Sequence, residues 1–507
     1  MCIRDRYSGS IHTRSTVPHS RSEGKVLIEI MFKTIRTNIL SSKTGLIGSI
    51  LFSVMVIISV FALISNPLDF GTTIWNNPLI WSDNPKNAPP SWSTILDSNS
   101  GPKHRVFRLE SPTHTSANNN KIEQTFSFDL SYASGDSPTF MSISMGDIVY
   151  WDNPPIFSIS VSRPDGKKID LYKHIIKVSG NMKETPKRKY SDQPLRIYLS
   201  GDNSVSNSVN DFMYSEFEIK PQADAYSGKI EDMIFGTPDI TTPGYFIPLE
   251  GIYEFVLSVK TYNENDSIGH ITFVMGGAHF GLMGTDSLGR DLARGLIFGF
   301  PVALTIGLIT SIIATAIGTT TGIISGYVGG KTDLFIQRLC DILSNMPLLP
   351  LLLFLAFILG QKLWVVIAVM IAFGWPGLTI IVRSMVLQLR SGSLIESTVS
   401  IGASRWHIML KHIFPQIAPF ILAQMIFFTP AAILAEAGLS FLGLGDPSIP
   451  TWGQILDQGF RTGAVYIGYW WWVIPPGLLI VLTALTFVLL ALAMERVVDP
   501  RLRVQSR

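Results

Sequence analysis

The sequence is short of charge and of cysteine. Charged residues fill 15% of its 507 positions, against about 25% in soluble domains, and the mean hydropathy is +0.31. A disordered chain and an ordinary soluble enzyme are both excluded. Forty Lys+Arg against 38 Asp+Glu leave a net charge of +2, which offers nucleic acid no electrostatic footprint, so no nucleic-acid partner is expected. The two cysteines, Cys2 and Cys340, cannot build a disulfide scaffold or a cysteine-rich zinc module. Catalytic signatures are missing too: there is no Gly-x-Ser-x-Gly and no His-Glu-x-x-His. The string Ser325-Gly326-Tyr327-Val328-Gly329-Gly330-Lys331-Thr332 imitates a phosphate-binding loop. Its first position is Ser where Gly belongs, and it follows an apolar run instead of joining a strand to a helix. The expectation is that Gly-Gly ends a helix there. The chain is then no enzyme, binds no ATP itself, and needs no cofactor and no metal.

What the sequence has is apolar runs. A helix needs about 20 apolar residues to cross the hydrocarbon core. Residues 46–64 carry no charge and form the first candidate span. The others are 300–327, 348–359, 363–382, 417–434 and 472–494. In the second, Gly307, Ala314, Gly318, Gly322 and Gly326 recur at roughly four-residue spacing, which lets helix backbones approach closely in lipid. Basic residues set the orientation. Lys33, Arg36 and Lys43 precede the first span; Lys331 and Arg338 follow the second; Arg383, Arg390, Arg405 and Lys411 follow the fourth; Arg496, Arg501, Arg503 and Arg507 follow the last. With six spans these fall on one side, so both termini are expected in the cytoplasm, with lipid around the helices. Residues 1–30 are polar and patternless and are read as a non-native or disordered leader. Residues 31–67 are then the flank and first span, and 279–507 the remaining transmembrane domain.

Between the first two spans, 68–278 falls outside the cell. Its pattern has period two, as in 125–130 (TFSFDL) and 253–259 (YEFVLSV), and Arg163-Pro164-Asp165-Gly166 reads as a hairpin turn. An inserted all-β domain, a sandwich, is expected. A Pro- and Trp-rich stretch, 75–92, reads as an ordered linker near the membrane surface. Glu436, at the outer end of the fifth span, is either part of an ion path or a structural carboxylate.

The loop 390–415, RSGSLIESTVSIGASRWHIMLKHIFP, lies on the basic side. It reads as two short helices, 394–401 and 405–414. Gly402 suits a left-handed cap on the first, and Ser404 caps the second. Trp406, Met409, Leu410 and Ile413 recur at helical spacing as one apolar face. That elbow fits either a soluble partner or the headgroup plane of the bilayer.

Glu396-Ser397-Thr398, then Gly402, Ala403 and Ser404, then Ile413-Phe414-Pro415 resembles the Glu-Ala-Ala/Gly loop of binding-protein-dependent ABC importer permeases, with Ser397-Thr398 where Ala-Ala is usual. Further stretches resemble the C-type permease of the dipeptide/oligopeptide/nickel branch. One is Gly284-Thr285-Asp286-Ser287-Leu288-Gly289-Arg290-Asp291; another is Gly326–Gly330 with Asp333, Arg338 and Asp341. The others run from Glu436 to Gly445, over Pro450-Thr451-Trp452-Gly453, and over Asp499-Pro500-Arg501-Leu502-Arg503. The resemblance covers 280–505 and the first span, and leaves out the β insert. It implies an α-helical polytopic permease of six helices in the plasma membrane of a prokaryote, a second homologous permease, two cytoplasmic ABC ATPases and an extracytoplasmic substrate-binding protein. It implies that 390–415 couples to the ATPase, and it leaves the transported solute open among peptides, nickel and some sugars. The insert would dock the binding protein, wall the entrance or bind substrate, or serve as an envelope-facing elaboration. Two other classes compete: a membrane receptor or sensor with a ligand-binding β domain, and an ion-coupled secondary transporter, which the scarcity of midplane charge disfavours.

Overall fold

The computed structural model describes residues 42–95, 101–118, 121–133, 137–177, 186–219, 230–239, 242 and 244–498. The leader, Lys33, Arg36 and the motif at 499–503 lie outside the described residues. The chain divides into two compact units: one holds Asn66–Phe298 and Ser448–Gly477, the other Gly299–Pro447 with the segments before Asn66 and after Gly477.

The first unit contains the β insert. Strands β1 (Arg105–Leu109), β2 (His114–Asn118), β3 (Lys121–Tyr132), β4 (Met141–Tyr150), β5 (Ile156–Ser162) and β6 (Lys168–Ile175) come first. Then follow β7 (Lys187–Lys189), β8 (Leu195–Tyr198), β9 (Gly236–Pro238), β10 (Phe246–Pro248), β11 (Gly251–Thr261) and β12 (Ser267–Met275). One large sheet runs β2-β3-β11-β5-β6 and the other β1-β12-β4-β7, with β8 also on β4, while β9 and β10 pair as a separate two-stranded sheet. The period-two reading holds at β11, where Tyr253, Phe255, Leu257, Val259 and Thr261 are buried while Glu254 and Lys260 are exposed. Phe128 of β3 stacks on Phe255 at 5.3 Å, and Phe255 meets Phe273 of β12 at the same distance, joining the two inner faces.

The hairpin at Arg163–Gly166 forms as expected: Gly166 takes φ +78° and its N–H donates to the Arg163 carbonyl at 3.0 Å. Arg163, read from the sequence only as part of a turn, is buried. Its guanidinium donates to the carbonyls of Met233, Ile234 and Gly236, at the end of a short helix, Ile230–Phe235, and pairs with Asp165. The domain is also not purely β. The helix Asn203–Phe217, capped by Asp202, buries Val205, Val209, Phe212 and Met213 in the sandwich core. Its apolar residues recur at helical spacing within a Ser- and Asn-rich stretch, a pattern that a search for alternation passes over.

The second unit is helical. Lys43–Ser65, Leu292–Val328, Leu363–Arg390, Arg405–Phe441 and Trp470–Met494 are long and apolar enough to cross a membrane. The expected third span, Leu348–Leu359, is a helix of 12 residues, about 18 Å at 1.5 Å per residue and too short alone. It joins Gly330–Asn345 at an 83° bend, so the count is five spans, or six if the bent pair is one. The small-residue stripe divides its contacts. Gly318, Gly322 and Gly326 sit against Trp375, Thr379, Val382 and Val386 of Leu363–Arg390, whereas Gly307 sits against Thr429 and Ile433. Hydroxyls join the same pairs: Thr321 with Thr379 at 2.7 Å, and Thr429 to Ser311 at 3.0 Å.

Candidate functional site

The loop after Leu363–Arg390 is built as two arms. Ser393–Ser400 is the first, and it ends as the sequence dictates: Gly402 adopts φ +86°, and its N–H donates to Val399 at 2.9 Å while Ala403 donates to Thr398 at 3.3 Å. Ser397 and Thr398 turn their hydroxyls back to the Leu394 carbonyl, at 2.9 and 2.7 Å. The departure from Ala-Ala is therefore absorbed within the helix. Glu396 is exposed. Ser404 caps the second arm by accepting from His407 N–H at 3.4 Å.

That second arm corrects two expectations. It does not stop at Phe414: Arg405–Ile408 passes through a π turn, Met409–Ile413, into the long helix Phe414–Phe441. Pro415 has no N–H, so a regular turn would lose a bond there; the wider turn instead pairs Phe414 N–H with Met409 O, and the Gln416 side chain takes His412 O at 2.7 Å. The apolar residues also do not share one face. Met409 and Ile413 join Ile395, Ile408, Val382 and Val386 in a buried cluster. Trp406 and Leu410, four residues apart, are 63% and 62% exposed. With Leu394, Val399 and Ile401 they give the elbow an uncovered apolar surface.

A second constellation lies at 284–291. Thr285 and Asp286 are fully buried. The Thr285 hydroxyl donates to Pro85 O at 2.6 Å and accepts from Ala88 N–H at 2.9 Å. Asp286 accepts from the N–H groups of Leu288 and Arg290, both at 2.9 Å, and from the Arg290 guanidinium at 2.5 Å. Arg290 also donates to Gln458 and lies over the Trp75 ring at 4.3 Å. Gly284 and Gly289 have positive φ, and a Cβ on either would meet backbone, Ala88 O at 2.5 Å and Trp81 O at 2.9 Å. Asp291 accepts from Ala293 N–H at 2.9 Å at the start of Leu292–Val328, and burial raises its carboxyl above the ordinary range. Trp471 donates to Thr285 O and Trp452 to Leu296 O, at 3.2 and 2.9 Å. The motif is a closed clasp, with no free group aimed at solvent chemistry. Trp75, Trp81 and Gln458, which sequence reasoning did not place in it, are drawn in by burial.

The imitation phosphate loop resolves into structure. Leu292–Val328 stops before Gly329, and both Gly329 and Gly330, the cap and first residue of Gly330–Asn345, take positive φ. Ser325 donates to Asp333 at 2.5 Å, and Arg383 grips the same carboxylate with two bonds of 2.6 Å. Arg383 counted only as an orienting charge in the sequence; its partner, 50 residues away, is a product of packing. Glu436 is buried and accepts from Ser440 at 2.6 Å. Among the described residues, no group of three or more His, Cys, Asp or Glu could hold a metal.

Comparison with known proteins bears on the same helices. A family model described as binding-protein-dependent transport system inner membrane component matches residues 318–504. The dipeptide transport system permease protein DppC of Bacillus subtilis (strain 168) is 34% identical over 221 residues, covering 43% of this chain and 68% of that protein. The oligopeptide transport system permease protein OppC of Haemophilus influenzae is 34% identical over 243 residues, 48% of this chain and 76% of that protein. The glutathione transport system permease protein GsiD of Shigella flexneri serotype 5b is 38% identical over 224 residues, 43% and 72%. These matches cover no more than about half of this chain. Several apolar helices, an elbow between two of them and relatives of this kind agree: the chain belongs to the binding-protein-dependent transport system inner membrane components, and is a multi-pass permease subunit of an ABC importer whose ATPase is a separate subunit.

Proposed function

We propose that this permease imports peptides, with the loop 390–415 as its contact to the ATPase. The observation that carries the substrate class is the 34% identity to a dipeptide and to an oligopeptide permease, each matched over more than two thirds of its length. The loop assignment is supported by its shape. Two arms hinged at Gly402 and packed on Val382 and Val386 form a stiff elbow, and a stiff elbow transmits displacement to the helices it joins. ATP-driven closure of two ATPases would swing Leu363–Arg390 and Arg405–Phe441 as rigid bodies. The path would alternate between inward-open and outward-open states.

The finer topology follows the charge. The bent pair Gly330–Asn345 and Leu348–Leu359 is one broken span, giving six, with both termini cytoplasmic and the sandwich outside. A second homologous permease completes the path, lipid surrounds it, and the sandwich helps to dock the extracytoplasmic binding protein. The clasp at Gly284, Thr285, Asp286, Gly289, Arg290 and Asp291 holds the outer start of Leu292–Val328, and Glu436 with Ser440 stiffens the outer end of Phe414–Phe441.

The test is affinity purification of the tagged protein in mild detergent, then reconstitution and uptake of labelled dipeptides, longer peptides and glutathione. Recovery of a second permease and two ATPase chains, with vanadate-sensitive hydrolysis and peptide uptake, is expected. A protein that elutes without any nucleotide-hydrolysing partner would sink the coupling assignment; uptake of none of the peptides would sink the substrate class.

A further inference from the structure

Beside the elbow lies a cleft of about 610 Å³, lined by Tyr327, Val328, Arg390, Ile395, Glu396, Val399, Ser400 and Arg405. Three charged side chains border it, Arg390, Glu396 and Arg405, and all three are exposed. Among the described residues none of the three is in an ion pair. That includes pairing with one another, although two are cations and one an anion. Arg390 ends its helix beside the Tyr327 ring, 6.0 Å from the centroid, and Arg405 opens the second arm. The floor is fixed, because Ile395 is buried in the cluster beneath the elbow. The rim carries exposed Val399, with exposed Leu394, Ile401 and Trp406 on the same two arms.

From this geometry we infer that the cleft is a socket for an acidic side chain of the ATPase subunit, held between Arg390 and Arg405. The inference rests on the proposal that this elbow meets the ATPase. It adds a hole on the permease to the knob that the elbow itself presents. Two guanidinium groups lining one cleft supply the forked donors that a planar, two-oxygen carboxylate accepts from. Glu396, which lines the same cleft, favours a polypeptide occupant. A polypeptide brings a carboxylate for the arginines and an N–H for Glu396. The apolar rim excludes water around such a contact, which strengthens it.

The experiment uses the assembled complex in nanodiscs, with the cognate ATPase as the probe and its affinity measured at 50 and 500 mM NaCl. Arg390→Gln/Arg405→Gln is expected to weaken binding at least tenfold at low salt and to flatten the salt dependence. Arg405→Lys is expected to recover part of the affinity, and Glu396→Gln to change it less than the double variant. Wild-type affinity and an unchanged salt slope in the double variant would overturn the socket. So would unchanged affinity combined with loss of co-purifying anionic lipid, which would assign the cleft to a headgroup. Gly402→Val separates this from the parent proposal. If Gly402→Val uncouples hydrolysis from uptake while the arginine variants are silent, only the socket fails. If Gly402→Val is also silent, the elbow is not the contact.

Discussion

Single residues in this chain act through burial more than through their own reactivity. Arg290 illustrates this: its charge is neutralised by Asp286, shared with Gln458 and covered by Trp75. Removing it leaves Asp286 buried with its ion-pair partner gone, at a penalty of about 3–5 kcal/mol. Arg290→Ala is expected to lower the thermal midpoint in detergent by several degrees. Arg290→Lys, which cannot form the fork or lie flat on the ring, should recover less than half. An Arg290→Ala protein as stable as wild type would show the clasp to be ornamental.

Glu231 gives a pH test. Burial raises its carboxyl above the ordinary range, and Oε1 has no hydrogen-bond partner among the described residues. For a carboxyl raised by burial, the folded state holds the proton more tightly than the unfolded one. The penalty is therefore present above the folded pKa and relieved as pH falls toward about 4.3. Glu231→Gln should slow hydrogen exchange of Ile230–Phe235 at pH 8, with the difference from wild type shrinking by pH 5. A difference that does not change with pH would contradict this.

At the scale of elements, glycine determines what can meet. A Cβ at Gly322 would stand 2.7 Å from Val382 Cβ and 2.9 Å from Thr379 O, so Leu292–Val328 and Leu363–Arg390 touch only because that position is bare. Gly322→Val should force the pair apart, at a penalty of about 1–3 kcal/mol, and reduce the monodisperse fraction on size exclusion. Gly402 differs in kind. Nothing lies within 4 Å of its added Cβ, yet its φ of +86° disfavours every L side chain by about 1–2 kcal/mol. Gly402→Val should therefore insert and fold, retain ATP hydrolysis in the complex, and lose at least tenfold in uptake. Normal uptake would remove the case for a rigid hinge.

At the scale of the whole molecule, the clasp and the sandwich are separable by their contacts. Thr285, Asp286, Gly289 and Arg290 find their partners at Trp75, Asn84, Pro85, Asn87, Ala88 and Gln458, none of them in a strand of the sandwich. The sandwich is tied to the linker by Arg196 with Asp83. Excision of 101–277 with a short bridging linker should leave a membrane-inserted, monodisperse protein. Its peptide uptake should fall if the sandwich docks the binding protein. Aggregation of that variant would mean that the sandwich is part of the permease fold.

The sequence by itself determined the properties that depend on neighbours along the chain. Apolar length marked the helices, alternation marked β11, and a glycine after the first arm marked the turn at 402. The Glu396-to-Pro415 pattern and the 284–291 string pointed to the importer permeases, which the comparisons bear out. Packing decided the rest. Arg163 reads as part of a turn and Arg383 as an orienting charge, yet each is held by groups tens of residues away. Trp406 and Met409 look like one face until the π turn and the cluster beneath separate them. The Leu348–Leu359 run reads as a span, and only the 83° bend shows what it lacks in length. The physical reason is common to these cases. Periodicity reports which residues avoid water, but the partner that buries or pairs with them is chosen by three-dimensional proximity, which no local pattern encodes.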